Sequence, residues 1–154
     1  AVGIFAVAVT GILGLLPGLL RQNAEAADRA IALRLPAPLE VELVRLGRSG
    51  SFDALAASIP VMGSTLENGL AFVATHDGGT LVEASLATGV MVDTEQYFLL
   101  EAWRFAESPL AYDANAGVIL VHVRVTWPYH LPGLTTATAL QSRSELSWSG
   151  AVNR

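Results

Sequence analysis

The chain of 154 residues contains no cysteine and no lysine. Without cysteine there is no disulfide and no thiolate metal site. The redox compartment stays open, because an exported domain of this size can fold without disulfides. All nine basic residues are arginine, a bias of genomic composition rather than of chemistry. Charged residues make up only 15%, the net charge is −5, and no basic cluster occurs. A nucleic-acid surface is therefore not expected. Histidine is limited to His76, His122 and His130. None stands at an H-x-x-x-H or H-x-H spacing, so a histidine-based metal site is not expected. No serine sits in a G-x-S-x-G elbow, and the glycines of GSTLENG lack the lysine of a phosphate loop. The carboxylates are scattered over helices and loops, which disfavours a paired-carboxylate site. No internal repeat or low-complexity run appears. These absences together predict a protein with no catalytic site, no cofactor and no small-molecule substrate.

Charge is also missing from one place. No charged residue precedes Arg21, and this run carries much of a hydrophobic fraction of 52% and a mean hydropathy of +0.47. At about 1.5 Å per residue, Ala1 to Leu20 reaches across about 30 Å of hydrocarbon. Gly3, Gly11, Gly14, Pro17 and Gly18 suit a helix in water poorly. In a membrane they are common, because small residues let helices approach closely. Gly14 and Gly18 form a GLLPG variant of the small-xxx-small pattern. Pro17 cannot donate to the carbonyl of Leu13, which predicts a kink or local unwinding. A buried core helix of this length would show some polar face. A cleaved secretory signal would show a basic flank and an A-x-A site, and neither is present.

The helix does not stop at Leu20. Leu20, Ala24, Ala27, Ile31 and Leu35 fall on one helical stripe, and Arg21, Glu25 and Arg29 alternate in sign at i,i+4. Pro36 is expected to close the segment. One helix of 35 residues thus carries an apolar half, residues 1–20, and an amphipathic half. The second half opens a globular domain, residues 21–154, with Ala24, Ala27, Ile31 and Leu35 as its packing stripe.

The remainder reads as helices and then strands. Pro38, Glu40 and Glu42 suit a helix N-terminus. Leu39, Leu43 and Leu46 share a face, and Gly47 is placed to end the helix. LEVELV also alternates as a strand would. SFDALAASIP predicts a short helix capped by Ser51, with Pro60 beyond its end. GLAFVAT and TLVEASL flank an Asp-Gly hairpin turn, HDGG at 76–79. QYFLLEAWRF and GVILVHVRVTW follow, joined by a longer connection, and RSELSWSGAV makes a last strand. Ile119, Val121, Val123, Val125 and Trp127 form one apolar face, as expected of an antiparallel sheet with one covered side. Glu101 is placed to meet Arg124 across the sheet as a structural ion pair. Trp103 and Trp127 read as packing anchors, and Tyr129 with His130 as the candidate exposed contact. The fold class is α+β, a long N-terminal helix laid on an antiparallel sheet.

These residues carry a family resemblance. VGIFAVAVTGILGLLPGLL resembles the latter part of a type IV pilin N-terminal helix. YFLLEAWRF, PLAYDANAGVILVHVRVTWPYHLPG and the closing strand resemble the pilin-like proteins of the Verru_Chthon cassette group. They are also similar to minor pseudopilins more broadly, in which a V-x-V-x-W pattern lies on a late strand, here Val123, Val125 and Trp127. The resemblance covers most of the chain. It implies a minor pilin-like structural subunit of a type IV pilus or type II secretion-like filament. Such a subunit is held single-pass in a bacterial inner membrane, with its domain in the periplasm. Its partners are other pilin-like subunits, met through the N-terminal helix. Pilins carry a Gly/Phe cleavage junction and an early Glu, whereas residues 1–20 hold no acid. The resemblance therefore implies an upstream basic leader, a small residue at a cleavage point, and a Glu at about the fifth mature position. The alternative is a membrane-anchored extracytoplasmic enzyme or ligand-binding domain, with the helix as a tether. Such a tether would usually be followed by a flexible Gly/Ser/Pro linker, which the sequence lacks.

Overall fold

The computed structural model describes residues 2–63, 69–130 and 143–154, with side chains in the first helix described from Leu15 onward. Its architecture is α+β. Three helices, α1 (Val2–Ala32), α2 (Pro36–Ser49) and α3 (Phe52–Ser58), precede five strands. These are β1 (Leu70–Ala74), β2 (Leu81–Glu83), β3 (Phe98–Arg104), β4 (Val118–Trp127) and β5 (Ser144–Asn153). All neighbouring strands are antiparallel, in the order β2-β1-β3-β4-β5.

The expected first helix forms but stops at Ala32, three residues short of Leu35, and the expected second helix starts at Pro36. After Ala32 the backbone tightens into i→i−3 bonds, from Arg34 to the carbonyl of Ile31 and from Leu35 to that of Ala32. Pro36 has no N–H to continue the ladder. Its fixed φ instead suits the first position of a new helix, so it opens α2 rather than closing α1. LEVELV is helical, and Leu39 and Leu43 turn inward. Gly47 does not end α2, which runs on to Ser49. A Cβ at Gly47 would lie 3.2 Å from Leu55 and 3.3 Å from Phe52, so its bare backbone lets α3 close onto α2. The hydroxyl of Ser51 caps α3 by accepting from the amide of Ala54 at 3.0 Å.

The core lies between α2, α3 and one face of the sheet. β4 alternates strictly, with Ile119, Val121, Val123, Val125 and Trp127 all buried. They share that face with Phe98, Leu100 and Ala102 of β3 and with Leu35, Leu39 and Leu43 from above. The expected packing stripe of α1 is corrected here. Ala24 and Ala27 are exposed, Ile31 is half-buried, and only Leu35 of that set is fully buried. The break at residues 33–35 redirects the chain, so α2 rather than α1 lies over the sheet. The second face holds a smaller cluster. Val73, Ala87 and Met91 are buried there, with Val82, Leu99 and Tyr129 against them. Two 3-10 turns, Ala84–Gly89 and Asp93–Glu95, supply the cover. Trp103 and Trp127 are both buried but lie on opposite faces. Trp103 stands opposite His122 in the register, whereas Trp127 contacts Phe98 on the helix side.

Candidate functional site

The feature without a counterpart in an ordinary two-layer domain is the long stretch of α1 that leaves the core. Leu15, Leu16, Leu19 and Leu20 are between 41% and 68% exposed. A water-facing helix surface would not carry four such leucines in six residues, so this surface calls for an apolar partner. Pro17 lies inside α1, which continues through it. Gly18 is exposed, with open space where a Cβ would be. Gly3, Gly11 and Gly14 lie outside the residues whose surroundings are described. Among the described residues no helix is long and apolar enough to cross a membrane.

Where α1 meets the domain, one carboxylate gathers three elements. Asp28 is only 13% exposed. It accepts a hydrogen bond from the phenol of Tyr97 at 2.6 Å and lies 3.0 Å from Nε2 of His76. The rings of His76 and Tyr97 meet edge-on at 4.3 Å. Tyr97 precedes β3, and His76 stands in the β1–β2 hairpin turn. Burial pushes the Tyr97 phenol up from its ordinary value, and the facing Asp28 adds to this. The hairpin turn is itself built to receive the helix. The carboxylate of Asp77 accepts from the Thr75 hydroxyl at 2.6 Å and from the Gly79 amide at 2.9 Å. These bonds, the hydroxyl first, hold its pKa below the usual carboxylate value. Gly78 has φ +70°, and a Cβ there would come within 3.1 Å of Ile31. Glycine is thus required both by the backbone and by the approach of the helix.

Tyr129 is half-buried against the second-face cluster, and His130 beside it is exposed. His130 Nε2 lies 3.3 Å from Oε1 of Gln96. The predicted pair forms, with Arg124 donating to Glu101 at 2.7 Å. His122 Nδ1 and Ser149 Oγ are cross-strand neighbours 3.3 Å apart. Among the described residues no carboxylate hydrogen-bonds that ring, so the pair lacks the orienting third group of an activated nucleophile. Among the described residues no three His, Asp or Glu side chains converge as metal ligands.

Comparison with protein-family models, characterised proteins and solved structures finds no match. The site therefore rests on its own geometry, an apolar stalk anchored to a domain by one mostly buried carboxylate. Sequence reading placed the stalk but missed the anchor. Asp28 lies off the apolar stripe, and its partners are 48 and 69 residues away, so no local pattern marks it.

Proposed function

We propose that the chain is a minor pilin-like subunit, a structural component of a type IV pilus or type II secretion-like filament. In this reading residues 1–20 reside in a bacterial inner membrane before assembly, and the α+β domain lies in the periplasm. On assembly the apolar helices leave lipid and pack together, their small residues allowing close contact. The observation that carries the reading is α1 itself. It leaves the domain as an unbroken helix with Leu15, Leu16, Leu19 and Leu20 uncovered. It enters the domain through a fixed anchor at Asp28 rather than a flexible linker. Such a joint passes movement of the helix directly to the domain.

A second reading, a membrane-tethered ligand-binding domain, draws support from the exposure of Ala24 and Ala27. A tether needs no packing along that stretch. The chain has no cysteine, so single Cys substitutions at Leu15, Leu16, Leu19 and Leu20 separate the two in cells. Filament packing gives disulfide-linked dimers at the positions on one helical face and few at the others. A tether gives no such periodicity, and uniform absence of crosslinks would end the filament reading.

A further inference from the structure

Among the described residues β5 lies at one side of the sheet and pairs with β4 alone. It is the long edge, ten residues against three in β2. Edge strands are ordinarily blunted by lysine, proline, inward charges or a bulge. β5 has none of these. Its register with β4 is continuous from Ser144 to Asn153, and no charge or proline lies from Leu146 to Asn153. The direction of its free backbone groups is fixed. The amide of Arg154 donates to the carbonyl of Gly117 at 2.9 Å, one step beyond the pair of Asn153 and Val118. Backbone groups of successive residues in an antiparallel pair point to alternate sides. Val152, Gly150, Trp148 and Leu146 therefore bond toward β4. Glu145, Ser147, Ser149, Ala151 and Asn153 turn their N–H and C=O groups outward.

The core-facing side of β5 is also incompletely covered. Val121, Val123 and Val125 of β4 are buried, whereas Gly150, Trp148 and Leu146 opposite them are partly exposed. A groove of about 230 Å³ runs between α2 and β5, with Leu39, Leu43, Trp148 and Gly150 in its walls. A Cβ at Gly150 would meet nothing within 4 Å, so the strand has a gap there. We propose that β5 pairs antiparallel with β5 of a second copy, about a two-fold axis at Ser149. This register keeps the core-facing sides of the two strands together. Trp148 stands opposite the partner's Gly150, and Leu146 opposite the partner's Val152. Each indole enters the gap that the facing glycine leaves, an aromatic–glycine pairing across strands. Glu145 falls opposite Asn153, so no like charges meet. A two-fold at Trp148 would set indole against indole, and one at Gly150 would set glycine against glycine. The outward backbone groups form about ten hydrogen bonds, as many as a typical interface carries. The interface is independent of the filament reading, since none of its residues lies on α1.

Single Cys substitutions in the full chain, oxidised in detergent micelles, test this in a protein with no cysteine of its own. Ser147, Ser149 and Ala151 are all exposed, so each variant keeps the fold. Across the proposed axis the two Ser149 Cα atoms lie about 5.5 Å apart, within reach of a disulfide. The two copies of Ser147, like those of Ala151, lie about 13 Å apart. Ser149→Cys should therefore give a disulfide-linked dimer at least about tenfold faster than Ser147→Cys or Ala151→Cys. Adding Gly150→Lys to Ser149→Cys sets a charge on the core-facing side of the edge and should slow that crosslink by about tenfold or more. A thermal melt reads whether this double variant folds, and the three-position scan decides without it if it does not. Equal crosslinking at the three positions would overturn the proposal. So would its absence at all three, which leaves the edge to a strand of another protein. A folded double variant that crosslinks like Ser149→Cys alone would overturn it too.

Discussion

Tyr97 holds its phenol against the carboxylate of Asp28 at 2.6 Å, and this contact makes the anchor of α1 sensitive to alkali. The folded-state pKa of Tyr97 is raised, so its contribution to stability is fully present below the unfolded value near 10. It is lost as pH rises above that value, because the unfolded chain ionises first. Tyr97→Phe should cost about 1–2 kcal/mol at pH 7, since a mostly buried carboxylate loses a donor. It should also lose less stability than the parent between pH 9 and pH 11, which urea melts at both values would read. Gly78→Ala should cost about 1–2 kcal/mol from the left-handed backbone alone, with further loss from the contact to Ile31. At this scale the sequence was readable where chemistry is local. The Asp-Gly turn and the Ser51 cap are of that kind. The Glu101–Arg124 pair was also legible, because strand alternation and register bring the two residues opposite each other. The Asp28 anchor was not, because nothing near Asp28 in sequence distinguishes it from a solvated helix charge.

Among the elements, α2 takes the packing on the sheet that the sequence assigned to the second half of α1. The periodic stripe from Leu20 to Leu35 is real as a pattern, and a stripe of alanines is weak evidence of burial. Ala24 and Ala27 contribute little apolar area, so tertiary packing had no strong reason to cover them. Leu39 and Leu43 contribute far more, and they are the ones buried. Leu43→Ala should therefore destabilise the domain by about 2–5 kcal/mol. Ala27→Asp should stay within about 0.5 kcal/mol of the parent. Ile31→Asp belongs between these limits in position but not in kind. It places a charge beside the hairpin turn and the core, where an unpaired carboxylate is costly. Thermal melts of the three variants should rank Ala27→Asp closest to the parent, with both others clearly lower. The strands were legible from alternation, most plainly in β4, whose apolar residues all point to one face. The 3-10 turns of residues 84–95 were not. They have no apolar period, and they exist because the second face of β1 and β3 needs local cover.

At the scale of the whole molecule, the core and the stalk should fail separately. Among the described residues every buried member of the main cluster lies at Ala32 or beyond. Deleting residues 1–20 should thus leave a folded protein that melts as the domain of the full chain does, with or without EDTA. Substituting Arg for Gly14 tests the opposite half. It adds a charge to a segment expected to pack in lipid or in a filament core, at about 2.5–3.5 kcal/mol on insertion scales. Its melting should match the parent, because the described core starts at Ala32. Its fate in cells should not, and fractionation should show loss from the membrane or from sheared filaments. The two variants together distinguish an assembly helix from a tether. A tether tolerates Gly14→Arg if the remaining apolar residues still hold it in lipid, so normal membrane retention with no filament would identify packing between helices as the step lost. Normal retention together with normal assembly would remove Gly14 from any close helix contact, and with it the reason for so many small residues in this segment under the filament reading.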